Sequence, residues 1–370
     1  MFGIEIGFNW SLIFIFALVT WTLATTVLPV DVPGHGQLTY WIASALGAVA
    51  FYACLLAHEM SHALVARRNG VEVEGITLWL FGGVSKLAGE PKSAGSEALI
   101  AGVGPLTSFV VGGIAYVTAL LTQQPSPLIS DVLGWLGFVN VALGLFNLVP
   151  AFPLDGGRLL SSLFWWRSGS RQRGVHNAVR IGRVFAYLMI AFGVLQLFTG
   201  GVANGIWIAF IGWFLLSAGG SEEAGAAIRA VLRRVPVSAA MSSPVVTVPD
   251  WLTVERFLEA VAPQHPFTTY PVHEPSGKVT GVVRLSDLMR IPVRERGDKH
   301  LIDVSRPITA VPTTTPVEEL ASLIDRLGSA FDQRVLVFDQ GALVGILAPV
   351  DVARVLTVRQ AIGGGPRPPA

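Results

Sequence analysis

Six stretches of this chain are apolar for long enough to cross a hydrocarbon core, which takes about 20 helical residues. They cover roughly 8–30, 40–66, 97–122, 132–151, 181–199 and 202–219, each rich in the Gly and Ala that let helices approach closely in lipid. A chain built this way cannot fold as one water-soluble domain. Its charges divide accordingly: residues 1–220 hold 10 Lys and Arg and 9 Asp and Glu, whereas residues 221–370 hold 16 of each. The expected fold is a polytopic α-helical membrane domain over 1–220, followed by a part of ordinary globular composition. The first stretch does not read as a removable signal peptide, because no basic residue precedes it and its apolar run is too long.

Basic residues set the orientation. Arg67, Arg68, Lys86 and Lys92 lie between the second and third stretches. Arg158, Arg167, Arg171, Arg173 and Arg180 lie between the fourth and fifth, and Arg229, Arg233 and Arg234 follow the sixth. The alternate connections at 31–39, 123–131 and 200–201 contain no Lys or Arg. Six spans with this alternation put both termini and the C-terminal part in the cytoplasm of a multi-pass cell-membrane protein. A formal net charge of +1 gives no concentrated basic footprint, so no nucleic-acid partner is expected. The single cysteine, Cys54, excludes an intrachain disulfide and a four-cysteine zinc site.

Inside the second span the chain reads Ala57-His58-Glu59-Met60-Ser61-His62. On a helix, His58 and His62 leave one face about 6 Å apart along the axis, which suits two nitrogen ligands of one tetrahedral zinc. Glu59 lies on an adjacent face, where it can reach an activated water without being a ligand. Ionisable groups in an apolar span are costly and point to function by default. A catalytic zinc needs a third protein ligand, and Asp155 is the natural candidate. It follows Pro150 and Pro153, which interrupt helix, and precedes Gly156 and Gly157, which allow a tight turn. Taken alone, Asp155 also reads as an ordinary helix-capping aspartate.

The two motifs together, His58-Glu59-x-x-His62 and Asn147-x-x-Pro150-x-x-Pro153-Leu154-Asp155-Gly156, resemble the site-2 protease family of intramembrane zinc metalloproteases. The resemblance covers residues 1–220. It implies one zinc held by His58, His62 and Asp155, with Glu59 as general base. It also implies cleavage of a transmembrane protein substrate within the lipid bilayer, usually after another protease has removed the substrate's outer domain. An asparagine near the second motif is implicated in substrate or oxyanion binding; Asn147 matches it, with Asn140 one heptad earlier as the alternative. Val71 to Lys86 reads as a β-hairpin turning at Gly82-Gly83, whose edge could receive an unwound substrate segment. Gly104-Pro105-Leu106-Thr107-Ser108 resembles a family pattern that often ends in asparagine, and the departure at Ser108 leaves that residue without an assigned role. Cys54 reads as an apolar filler, His35 and His176 as solvated surface residues, and Arg167–Arg183 as an interfacial anchor for lipid headgroups.

After a linker at 221–236 comes an internal repeat of strand–helix–strand–strand–helix order. Gly281 stands before Asp287 as Gly345 stands before Asp351. The repeats, 237–300 and 301–360, resemble an α/β tandem CBS pair, a regulatory or dimerising module that implies a homodimer as one assembly. Such pairs often bind an adenine nucleotide, with Asp287 and Asp351 in the ribose-binding position. Arg284 and Ala348 replace the usual Ser or Thr, which argues against a nucleotide. The tail 361–370 has the composition of a disordered segment. A second reading of the whole, a CBS-gated transporter or channel, would need an ionisable relay across several spans, and the first, fifth and sixth contain almost none.

Overall fold

The structure, a computed structural model, describes residues 4–79, 82–265, 267–328 and 334–363. The chain divides into two compact units, 1–227 and 228–370.

Among the described residues, six helices of the first unit are long and apolar enough to span a bilayer. They are α1 (Ser11–Asp31), α2 (Gln37–Arg68), α3 (Ala94–Thr122), α4 (Pro127–Asn147), α6 (Arg171–Phe198) and α7 (Val202–Leu232). Between α4 and α6 sits the shorter α5 (Asp155–Ser168). Exposed Ile13, Phe14, Leu18, Leu120, Leu121 and Phe198 give the helices an apolar exterior that lipid accepts and water does not. Helix α4 ends at Asn147, so Pro150 and Pro153 lie in the connection to α5 rather than inside the span. That connection packs hard on α5: a Cβ at Gly156 would fall 2.2 Å from the Leu148 carbonyl oxygen.

The fifth span begins ten residues earlier than its apolar run, at Arg171, because charged residues extend it as helix. Ser170 caps its start, its hydroxyl accepting from the Arg173 N–H. Arg171 pairs with Glu90 at 2.6 Å and Glu97 at 3.6 Å, and Arg183 pairs with Glu223, which also meets His176 Nδ1 at 2.5 Å. Arg171 and Arg183, expected to anchor on headgroups, thus answer acids of the protein itself, and His176 has a carboxylate partner.

A small sheet joins the membrane helices. Strand β1 (Glu5–Phe8) lies parallel to β2 (Glu72–Trp79), which pairs antiparallel with β3 (Gly82–Ala88). Gly82 and Gly83 do not form the turn. They pair with Trp79 and Leu78 inside the ladder, and the linking residues 80–81 lie outside those described. Ile4, Ile76 and Leu78 pack with Leu55, Met60 and Ala63, which fixes the sheet against the motif-bearing turns of α2.

The sixth helix continues to Leu232, so the linker, expected as an amphipathic basic helix, runs on from the sixth span without a break. In the second unit, β4 (Val248–Pro249), β5 (Thr269–His273), β6 (Val279–Arg284) and β7 (Arg306–Pro307) form one sheet in that order. Strands β8 (Thr313–Thr314), β9 (Val335–Asp339) and β10 (Ala342–Leu347) form another, in the order β10-β9-β8. Each has its own core, around Phe257, Tyr270 and Val272 in one and Leu320, Leu323 and Val337 in the other. The final helix runs Pro349–Gly363, so the start of the expected tail is helical, and 364–370 lie outside the described residues.

Candidate active site

The spacing of four residues on α2 sets His58 and His62 on one face, with their Nε2 atoms 3.2 Å apart. Asp155, in the first turn of α5, brings Oδ2 to 3.4 Å from His58 Nε2 and 3.3 Å from His62 Nε2. Asp155 is not the cap of its helix, since Leu154 takes that position. Its carboxylate is turned to the histidines.

Whether these residues fit a zinc ion is decided by their outer hydrogen bonds. His62 Nδ1 lies 2.6 Å from the Ile100 carbonyl oxygen, which can only accept, so Nδ1 carries the proton. His58 Nδ1 lies 2.9 Å from Ser108 Oγ, a partner that lets it donate likewise. Both Nε2 atoms then present lone pairs to each other and to a carboxylate oxygen, an arrangement that a cation resolves. The spacing agrees with one: a tetrahedral zinc with bonds of about 2.0–2.1 Å sets its ligands roughly 3.3 Å apart. Gly104 keeps the space open, because a Cβ there would fall 2.2 Å from His62 Nε2 and 2.7 Å from His58 Nε2.

Ser108, left without a role on sequence grounds, is therefore part of the site; it is fully buried and orients His58. Its hydroxyl does so where the family pattern more often has an amide. The signal that could have revealed it is the stripe Ile100, Gly104, Ser108 along one face of α3, at successive spacings of four. Glu59 lines the same cavity of about 490 Å³, together with Asn147 and Arg158. Gly83 of β3 abuts Glu59, and a Cβ there would fall 2.1 Å from its Cγ. The hairpin thus forms one wall, while α7 supplies another through Trp207, Phe210, Ile211 and Phe214. Of the two asparagines, Asn147 reaches the cavity; Asn140 is wholly buried, with its amide on the Leu136 carbonyl.

The candidate positions of the second unit differ. Asp351 is buried and accepts from the Ala348 N–H at 2.9 Å and the Ser242 hydroxyl at 3.3 Å, with Arg354 at 3.1 Å. Asp287 pairs with Arg306 at 3.1 Å.

A family model described as Peptidase family M50 matches residues 46–128 and 123–189, and one for the CBS domain matches 237–294 and 300–358. Rip3 of Mycobacterium tuberculosis, classed by its name as a zinc metalloprotease, is 41% identical over 360 residues, covering 96% of this chain and 91% of that protein. The chain belongs to peptidase family M50, the site-2 proteases. This M50 member is a multi-pass membrane protein and a zinc metalloprotease carrying two CBS domains. The zinc metalloprotease MJ0392 of Methanocaldococcus jannaschii is 27% identical, with 84% of each chain covered. A solved site-2 protease from that organism matches 60% of this chain and 92% of its own, at 26% identity and a TM-score of 0.41.

Proposed function

We propose that this chain is an intramembrane endopeptidase that hydrolyses a peptide bond within a transmembrane segment of a membrane-anchored substrate. The observation that carries the reading is the meeting of two imidazole nitrogens and one carboxylate oxygen in an apolar-walled cavity of the membrane unit. His58, His62 and Asp155 would hold one zinc ion, with Ser108 and the Ile100 carbonyl fixing the rings. Zinc bound there supplies Lewis acidity that polarises the scissile carbonyl and acidifies a water. Glu59 takes the proton of the attacking water and returns it to the leaving amine. Asn147 has one amide hydrogen on the Leu143 carbonyl, 3.0 Å away, and a second to offer the substrate carbonyl oxygen.

A helical substrate has its carbonyls engaged in the i to i−4 ladder and must unwind before attack, so segments containing Pro or Gly are preferred. The sheet order leaves β3 at an edge, where an extended segment can add as a further strand. His62 is followed within six residues by Arg67 and Arg68, which favours a site near the cytoplasmic interface with water entering from that side. The CBS pair lies in the cytoplasm as a regulatory or dimerising module.

The test is metal analysis of purified wild type and His58→Ala, followed by cleavage of a model transmembrane substrate by wild type and Glu59→Gln in proteoliposomes. Zinc in the wild type but not in His58→Ala, with cleavage by Glu59→Gln slowed at least about a hundredfold, is the expected result. Unimpaired cleavage by Glu59→Gln would end the assignment of the base.

A further inference from the structure

Arg158 lies one turn beyond Asp155 on α5 and lines the catalytic cavity, half-buried. Among the described residues its guanidinium makes no hydrogen bond and no ion pair. The acid it senses, Glu97, lies beyond hydrogen-bond reach of it and shares Arg171 with Glu90, at 3.6 and 2.6 Å. A guanidinium cannot shed its charge by losing a proton, so a partly desolvated one needs an anion nearby. The catalytic groups do not supply it. Asp155 lies beyond ion-pair reach of Arg158 and is turned to the histidines.

The α5 helix also gives the charge a direction. It runs from Asp155 toward Arg167, and α6 opens with Arg171 and Arg173, so Arg158 lies on the side of the site nearer this basic segment. Among the cavity's walls of Trp, Phe, Leu and Ile it is the one fixed cation among the described lining residues. We infer that Arg158 is a specificity-determining residue that receives a carboxylate side chain of the substrate, an Asp or Glu placed a few residues from the scissile bond on the basic-segment side. This rests on the endopeptidase reading above. The planar fork of a guanidinium matches a carboxylate in two parallel hydrogen bonds, which gives selectivity by charge and by shape.

The experiment uses the full chain in phosphatidylcholine vesicles and a set of transmembrane peptides. Each carries a Pro-Gly break and a single Asp, Asn or Lys at successive positions on one flank of it. At one position the wild type should cleave the Asp peptide on the order of tenfold faster, in kcat/KM, than the Asn peptide, with Lys worst. Arg158→Gln should bring Asp and Asn within about twofold, Arg158→Lys should restore part of the preference, and Arg158→Glu should turn it toward Lys. The same ranking is read without turnover as affinity for fluorescent peptides in the Glu59→Gln background. Discrimination in binding with no cleavage by wild type would therefore remove the endopeptidase reading and keep this one. An equal loss on every peptide in Arg158→Gln, or a preference that follows added phosphatidylglycerol instead of peptide charge, would overturn it.

Discussion

Aspartates at motif positions meet opposite fates in the two units. In the membrane unit, Asp155 Oδ2 faces two imidazole nitrogens whose other ring atoms are already satisfied by Ser108 and Ile100. In the CBS unit, Asp351 has both oxygens committed to Ala348, Ser242 and Arg354, and Asp287 is paired with Arg306. One arrangement leaves lone pairs aimed at a common point, while the other closes both motif carboxylates on their own chain. A motif position becomes a ligand site only when its partners leave it donor capacity to give away.

The sharpest way to break this contrast is to remove a member of the converging group. His58→Ala and Asp155→Ala should each lose essentially all zinc by metal analysis while keeping wild-type helix content by circular dichroism. Full zinc retention in Asp155→Ala would move the third ligand elsewhere. Next in size, Glu59→Gln should keep its zinc yet cleave a model substrate about 10²–10⁴-fold more slowly, the range a positioned general base supplies. A zinc-free Glu59→Gln protein would make Glu59 a ligand instead of a base.

Ser108→Ala sharpens the comparison at a smaller scale. It leaves the three converging atoms intact and removes only the hydrogen bond that holds the His58 ring. Zinc affinity, measured by competition with a chelator, should fall about 10- to 100-fold, as for other groups that orient a ligating histidine. An unchanged affinity would show that packing alone sets the ring.

The different legibility of these groups has a physical cause. His58, His62 and the spans are periodic signals: four residues give one helical face, and long apolar runs give membrane helices. Asp155 was legible because prolines and glycines mark a helix end whatever surrounds it. Ser108 was not, because a serine in a span is ordinary and only the crossing of α3 over α2 brings it to His58. Strand β1 pairs with β2 across more than sixty residues, a contact that no local pattern encodes. Gly82 and Gly83 were misread as a turn because glycine marks both turns and close approaches, and here Gly83 makes room for Glu59. The charged start of α6 carries no apolar signal, and Arg171 opens the helix there while pairing with Glu90 and Glu97.

In the CBS unit the contrast predicts effects on stability. Asp351→Asn weakens the charge-assisted bond to the Ala348 N–H and should destabilise this unit by about 1 kcal/mol, as loss of a helix-start contact does. Calorimetry of the full chain in detergent should show the shift with the zinc content unchanged. Added AMP or ATP should not raise the wild-type transition, since Asp287 and Asp351 are already occupied; a clear rise would mean that a nucleotide displaces those partners.

The smallest effect belongs to Glu318, whose carboxylate accepts from the Thr314 hydroxyl at 2.6 Å and from Arg326 at 2.8 Å. Burial pushes its pKa up, but the Arg326 and Thr314 bonds outweigh that and hold it below the usual 4.5. A carboxyl whose pKa is lower folded than unfolded stabilises fully above its unfolded value and loses that contribution as pH falls through the folded one. The transition temperature of the CBS unit should therefore be insensitive to this group at pH 6 and above, then decline below about pH 4.5 as Glu318 protonates. Glu318→Gln should flatten part of that decline and lie closer to wild type at pH 4 than at pH 7. Since Glu318 is partly solvated, added salt should shrink the difference between the two proteins at pH 7. An equal acid sensitivity in wild type and Glu318→Gln would place the responsible carboxylates elsewhere, with the buried Asp351 the next to substitute.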